Sequence, residues 1–571
     1  MAPGCPKKNQ EDEKIKLLKR ALPLLLAFAM LFALAACGQP GGTEPKNSDA
    51  PAVDTPNIGS LGGDNQEHDV SESVIAESLT YGLRNTGWDL APWKNNGSSG
   101  NTIYTQLYAT LMANPKFGTA LADMQHDMAE SYTISDDGLH ATVKLKDYIR
   151  DSKGNAIGAE DVVFSYETAP NVAGAYANIG VYVDEIKATG DLTVEITVSS
   201  AAPGVWEYVL SHCPVVNKAW YEGATDEQRS GDPATTGAYK VKENIPGTSV
   251  TLEAVEDFWQ KDGDRTVYEV ATAKIIKCVG ISEDAMRVIA LENGELDLAW
   301  IENTNIKTFA DSGEFELFDF YMTNPTTFVF NCAEGSIFHD NADLRQAVLH
   351  AIDFEQVRIA ASGDFGFQGH DVAPAVCGDY QSAWNDAPYY DYDLDVAKEY
   401  LQKAGYDEKS GLSFHFMCKT MGPQKAAVAV VQSCLRNIGI EVIIDSYDQA
   451  LFDTYYLEPD QWDMCWHSGN MATGFVTEAW NWYYGTKTER GSVGFVQDET
   501  LQSLLNAAME KNDAESLNAF HDYAVEQAYA VNAFNEQAYL VGRKGIVGVQ
   551  FNIEGPALNG CIFTEDYVPA K

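Results

Sequence analysis

Apolar residues recur along this chain with two periods, two and about 3.6, and the two alternate segment by segment. That alternation restricts the possible folds more than any other feature. Residues 141–147 (Ala-Thr-Val-Lys-Leu-Lys-Asp) and 191–198 (Asp-Leu-Thr-Val-Glu-Ile-Thr-Val) place apolar side chains at every second position, as a half-buried strand does. Residues 239–242 and 248–255 predict a hairpin turning at Ile245-Pro246-Gly247, and 273–279 a further strand. Ser282 then offers an N-cap to a helix over 283–292, with Met286, Ile289 and Ala290 on one face and Asn293-Gly294 as its stop. Leu296 to Trp300 returns to strand. The second half repeats the pattern. Helices are predicted over 343–351, 394–404 and 424–438, the last with Ala427, Val428, Val431, Leu435 and Ile438 on one face. Gly439 closes that helix, and the β-branched run 440–444 follows. This is the grammar of an α/β protein. At roughly 150 residues per domain, 571 residues make three or four domains or lobes.

Charge narrows the partners. Asp and Glu number 83 against 39 Lys and Arg, a formal charge of −44. Binding to nucleic acid needs a basic face to neutralise phosphates, so no nucleic-acid partner is expected, and an anionic membrane surface would repel the chain.

The first 60 residues read differently from the rest. Lys7, Lys8, Lys14, Lys16, Lys19 and Arg20 precede an apolar run from Ala21 to Ala36. At 16 residues the run is short of the roughly 20 that span a bilayer. A basic start, an apolar middle and small residues at the end are the layout of an export signal over residues 1–36. Its end, Leu34-Ala35-Ala36-Cys37, resembles the bacterial lipobox. That resemblance implies cleavage before Cys37, a diacylglycerol on its thiol and an extracytoplasmic protein anchored to the cell membrane. Residues 37–69, rich in Gly, Pro, Asp, Asn and Ser, cannot bury enough surface to offset their ordering entropy and read as a tether.

Beyond Cys5 and Cys37 lie Cys213, Cys278, Cys332, Cys377, Cys418, Cys434, Cys465 and Cys561. No CxxC pair occurs, so no metal site and no cofactor are expected. Most of these thiols should be buried, with one or two disulfides among them.

Several blocks resemble one family. Thr236-Gly237-Ala238-Tyr239-Lys240-Val241 followed by Glu256-Asp257-Phe258-Trp259 is similar to "TGPYKV … NPDYW". Ser135-Asp136-Asp137-Gly138 with Ala159-Glu160-Asp161-Val162-Val163-Phe164-Ser165-Tyr166 resembles "SDDG … TAEDVVFSY". Residues 290–297 resemble "AL..GEID", residues 338–353 "F.D..LRQAV..AID" and residues 400–406 "LL..AGY". All occur in one order, over about residues 75–545. The family is that of the family 5 extracellular solute-binding proteins, the peptide and nickel receptors of ABC importers.

The resemblance implies a two-lobed periplasmic-binding-protein-like α/β fold (type II, cluster C), with an extra subdomain inserted in lobe one. Lobe one maps to 70–110, 205–325 and 540–571, the subdomain to 111–204, and lobe two to 326–539. Hinges fall near Thr326 and Tyr539–Lys544. Thr236-Gly237 reads as a turn that needs glycine, Trp259 as core and Asp161 as a helix cap.

A closing cleft binds through flat side chains and a few polar anchors. Residues 462–470 and 480–485 are rich in aromatic side chains. Trp462 reads as core. Trp466 resembles the Trp of a "W-x-x-D" stretch in peptide receptors, whose aspartate pairs with the peptide's α-ammonium. Here His467, Ser468, Gly469 and Asn470 follow Trp466, and the next acid is Glu478. Either an acid such as Glu478 enters the cleft from elsewhere, or the solute is not an ordinary peptide, a glycan fragment being the alternative. The candidate ligand-binding residues are Trp466, His467, Asn470, Trp482 and, from lobe one, Trp88, with Trp93 beside it.

There is no GxSxG elbow, HExxH pair or P-loop, and with 83 acids a pair of carboxylates carries no weight as a catalytic signature. The expected role is therefore non-enzymatic. A monomeric lipoprotein captures an oligopeptide-like or other small solute and delivers it to an ABC permease and ATPase complex. An oligosaccharide receptor or a signalling receptor of the same fold, and less so a secreted hydrolase, are the alternatives.

Overall fold

The computed structural model describes residues 73–571, apart from residues 96–97, 262, 264, 267–268, 311, 322–324, 364, 388, 421, 470, 472, 486–491 and 553. The export signal, Cys37, the tether and the candidate ligand residue Asn470 lie outside the described residues.

Two sheets organise the chain. The first has seven strands in the order Phe315–Tyr321, Gln537–Arg543, Leu298–Ile301, Leu79–Leu83, Ile275–Gly280, Ser249–Ala254 and Tyr239–Ile245. Its central strand, Leu79–Leu83, runs parallel to both neighbours, and the flanking pairs are antiparallel. The predicted hairpin is there, with Thr248 N donating to Ile245 O at the turn. The second sheet has five strands in the order Glu441–Tyr447, Ser413–Lys419, Met464–His467, Thr326–Phe330 and Ala530–Phe534. The helix Gly422–Arg436 lies against its parallel strands, burying Ala427, Val428, Val431 and Leu435, the face read from the periodicity.

A four-stranded antiparallel sheet occupies the inserted segment, in the order Ala129–Ile134, His140–Leu145, Thr193–Val198 and Val183–Gly190. Strand His140–Leu145 alternates exposed and buried residues along its length. One hydrophobic cluster runs from this sheet into the seven-stranded one, through Val143, Val194, Leu252 and Ile276, so the insertion shares lobe one's core. The five-stranded sheet builds a separate cluster around Phe328, Phe330, Phe414 and Phe416.

Several local readings change in the structure. The helix at 284–292 is capped at Glu283, with no side-chain bond, rather than at Ser282. The carbonyl of Ser282 accepts from Arg287 Nη1 at 3.0 Å, so the chain is still outside the helix there. Asp161 caps from inside its helix, its Oδ2 accepting from Gly158 N at 2.8 Å. Gly237 is needed for close approach. A Cβ there would sit 2.7 Å from Gln106 O and 2.8 Å from Leu107 C. Trp259 is core, its Nε1 donating to Thr236 O at 2.7 Å. The expected disulfides are absent among the described residues: all eight cysteines are free and buried, scattered through both cores. Burial raises the pKa of the Cys332 and Cys418 thiols to about 11, which holds them as inert thiols.

The chain changes sheet twice, between Tyr321 and Thr326 and again between Phe534 and Gln537. The second change lies ahead of the hinge expected at Tyr539–Lys544. Residues 537–543 form one strand paired on both edges, to Phe315–Tyr321 and to Leu298–Ile301, which leaves no free backbone there to bend. The expected end of lobe two at residue 539 therefore falls inside a lobe-one strand.

Candidate functional site

Both crossings leave from corresponding sheet edges. In the seven-stranded sheet, Leu79–Leu83, Ile275–Gly280 and Leu298–Ile301 run in one direction, so Arg84, Ile281 and Glu302 follow their carboxyl ends on one edge. In the five-stranded sheet, Ser413–Lys419, Glu441–Tyr447 and Met464–His467 run together, and their carboxyl ends lie beside the start of Thr326–Phe330. In open α/β sheets, ligands bind outside the carboxyl ends of the strands. Both sets of carboxyl ends thus lie at the crossings.

On the lobe-two side, Pro325, Val372, Gly469, Met471, Glu478, Ala479, Trp482 and Tyr483 line a narrow crevice. Trp482 is 40% exposed on the helix Val476–Tyr484, a large apolar face left open to solvent. Glu478, one turn earlier, accepts from Thr473 N and Oγ1, both at 2.7 Å. Its charge also reaches lobe one and its inserted subdomain: burial raises the phenols of Tyr208 and Tyr182, and Glu478 adds to the rise. An acid does enter the crevice, from the helix rather than from the strand that carries Trp466. Tyr483 Oη accepts from Gly469 N at 3.1 Å and lies 3.4 Å from His467 Nδ1, pinning the turn after the strand.

The remaining sequence candidates occupy different surroundings. His467 ends its strand, 8% exposed, and burial with nearby Lys419 lowers its pKa to about 4, so it is a neutral ring at pH 7. Trp466 is 4% exposed and packs between Phe328 and Phe534, with ring centroids 5.4 and 5.8 Å away. Trp462 is buried against Phe495. Trp88 is half-buried at lobe one's edge, its Nε1 donating to Asn244 Oδ1 at 3.3 Å. Trp93 is fully buried between Phe164 and Tyr221. Trp482 and Glu478 therefore share one crevice, His467 borders it through Tyr483, and Trp88 and Trp93 stay with lobe one.

One group at this edge escaped the sequence reading. The Arg84 guanidinium lies 3.8 Å over the Trp300 ring. Burial raises the Glu536 carboxyl, with Arg84 opposing the rise and Glu302 adding to it. Arg84, Trp300, Glu302 and Glu536 thus gather beside the second crossing. Arg84 and Glu302 each stand directly after a buried strand, and a charge at that position is the signal that could have found them. Among the described residues no cluster of His, Cys, Asp and Glu is arranged to hold a metal, and no helix is long and apolar enough to cross a membrane.

Comparison with known proteins agrees with this architecture. A protein named Probable peptide-binding protein YejA from Agrobacterium fabrum is 23% identical over 383 residues, 57% of this chain and 62% of its own length. The chain thus spans just under two thirds of that relative. The oligopeptide-binding protein AppA of Bacillus subtilis is 24% identical over 484 residues, 78% of this chain and 80% of AppA. The structure of HbpA2 from Haemophilus parasuis superposes with a TM-score of 0.73 at 18% identity, covering 85% of this chain and all of that one, and shares the two-lobed fold. Residues 123–491 match the family described as "Bacterial extracellular solute-binding proteins, family 5 Middle". With well over half its length inside that match, and with two sheets joined by two crossings, the chain belongs to the family 5 extracellular solute-binding proteins.

Proposed function

We propose that this protein is a lipid-anchored receptor that captures an oligopeptide-like solute between its lobes and hands it to an ABC permease and ATPase complex. What supports the reading is an acid, Glu478, and an open indole, Trp482, that line one crevice of lobe two beside Pro325 at the first crossing. A carboxylate in a partly dry crevice is a partner for an ammonium group, and charge-assisted bonds there dominate specificity. This favours a peptide-like solute over a neutral glycan, and the peptide-binding names of YejA and AppA point the same way. No bond in the solute is made or broken. A solute that touches both lobes only when they are closed stabilises the closed form by its difference in affinity for the two states. The closed form then docks to the permease, and Cys37 holds the receptor at the membrane.

Native mass spectrometry of the protein as purified tests the solute class. A released mass that fragments as a short peptide supports the reading, and a hexose ladder overturns it. Cys37→Ser is expected to move the protein from the membrane fraction to the soluble one. Unchanged fractionation overturns the anchor while leaving the solute reading intact.

A further inference from the structure

Residues 113–121 project from lobe one. Ala113 N donates to Gln125 O at 2.8 Å and Leu121 N to Glu207 Oε1 at 3.0 Å, which roots one end of the loop in the inserted segment and the other on lobe one. A bond from Thr119 N to Lys116 O at 3.1 Å closes its tip. The tip's one large apolar side chain does not join its own lobe's hydrophobic cluster. Phe117, 8% exposed, belongs to the hydrophobic cluster of the five-stranded sheet, and it comes there from some 200 residues earlier in the chain.

Gly118 explains how the tip comes so near. A Cβ on it would lie 2.6 Å from both Gly378 N and Val376 O, and its φ of +76° already favours glycine. Gly378 is as tight in return, with a Cβ there colliding with Gly118 O. Gly474, at φ +77°, would bring a Cβ within 2.6 Å of Gly118 N. The receiving socket is tied together on the lobe-two side. Gly378 N donates to Gly474 O at 3.1 Å and Val476 N to Asp379 Oδ1 at 2.8 Å. A second contact lies alongside, where a Cβ on Gly204 of lobe one would come within 2.7 Å of Phe475 Cδ2. Three glycines from three segments let backbone meet backbone with no side chain between them.

We infer that residues 116–119 are a latch, a closure contact separate from the two crossings, in which Phe117 seats in lobe two and Gly118 meets Gly378 and Gly474. Backbone atoms in contact have no rotamers with which to accommodate a gap. The latch therefore engages only when the lobes meet fully. Its stabilisation is the same for any solute that permits full closure and is lost to one that props the lobes apart. It thus selects on solute size, where Glu478 and Trp482 select on solute chemistry.

The test reads interlobe distance directly and needs no solute. Nitroxides are placed at Asp184→Cys, exposed in the four-stranded sheet, and Ser503→Cys, exposed on the helix Glu499–Lys511. Cys5 and Cys37 are replaced by Ser, and the eight buried native thiols stay unlabelled. Electron–electron resonance on the full chain is expected to show a short-distance population. Phe117→Ala should raise the ratio of long to short distances at least tenfold, Gly118→Val should do the same, and Asp123→Ala, exposed and outside the latch, should leave it unchanged. If Gly118→Val does not fold, Phe117→Ala still decides, because its ring serves the other lobe's cluster and not its own. A Phe117→Ala distribution matching the unsubstituted one overturns the latch. So does an unsubstituted chain that lacks the short-distance population.

Discussion

Asp127→Asn is expected to stabilise lobe one at alkaline pH and leave it unchanged in acid. Asp127 is 2% exposed, and burial pushes its carboxyl up to about 7 from the usual 3.8, against opposing bonds from Thr110 N and Gln260 and the charge of Lys146. Glu269, 5% exposed, is raised well above the usual range by burial and by Asp127, with Arg265 opposing. Folded Asp127 thus keeps a proton that the unfolded chain has lost between about pH 4 and 7. Folding stability falls as pH climbs through that window and is level above it. A rise of that size is worth about 4 kcal/mol. Asparagine titrates nothing and can keep both bonds. Its Oδ1 can accept from Thr110 N, which lies 2.9 Å from the present carboxylate, and its amide can donate to Gln260 Oε1, a buried atom with no partner, once the Gln260 amide turns over. A domain of this size gains roughly 2–4 °C per kcal/mol. Differential scanning calorimetry should therefore find the variant's lobe-one transition on the order of 10 °C higher at pH 8 and coincident at pH 4. Parallel melting profiles across that range would refute a proton held by the buried pair.

Two further outcomes follow from burial. Trp482→Ala removes a ring that is 40% exposed, so it should weaken binding of the solute recovered from the protein by about 1–2 kcal/mol with no change in melting temperature. Trp466→Ala, at 4% exposure between Phe328 and Phe534, should instead lose about 3–5 kcal/mol of lobe-two stability. Calorimetry and thermal melts separate the two, and the opposite pattern would make Trp466 the solute contact. In a chain with Cys5 and Cys37 replaced by Ser, Ellman's reagent should count no reactive thiol when native and all eight in guanidinium without reductant. Six in guanidinium would mean one disulfide.

Much of the architecture could be read along the chain because it rests on local rules. A strand with one face buried shows period two, as at 140–145, and a covering helix shows period 3.6, as at 422–436. The capping role of Asp161 was legible because Gly158 is its neighbour in the chain, although its other oxygen also accepts from the distant Lys218 N. Glu478 could be named as the next acid, but that it reaches the crevice was not legible. Glu478 follows Trp466 by twelve residues, and only the helix Val476–Tyr484 turning back onto the end of the strand Met464–His467 brings it beside Gly469. Nor was the absence of disulfides among the described residues, since eight cysteines spread along the chain pair or not according to distances that sequence separation does not encode. Local sequence thus decided which segments are strands and helices and, at 140–145 and 422–436, which faces they bury, because those depend on neighbours three or four residues away; at 284–292 it did not, since Met286 and Ile289 of the expected face are exposed and Arg287 is buried instead. Tertiary structure alone decided where the chain crosses between sheets, that Arg84 lies over the Trp300 ring, and that Phe117 seats in the other lobe. Each of those contacts joins residues hundreds of positions apart, whose meeting depends on the packing of everything between them.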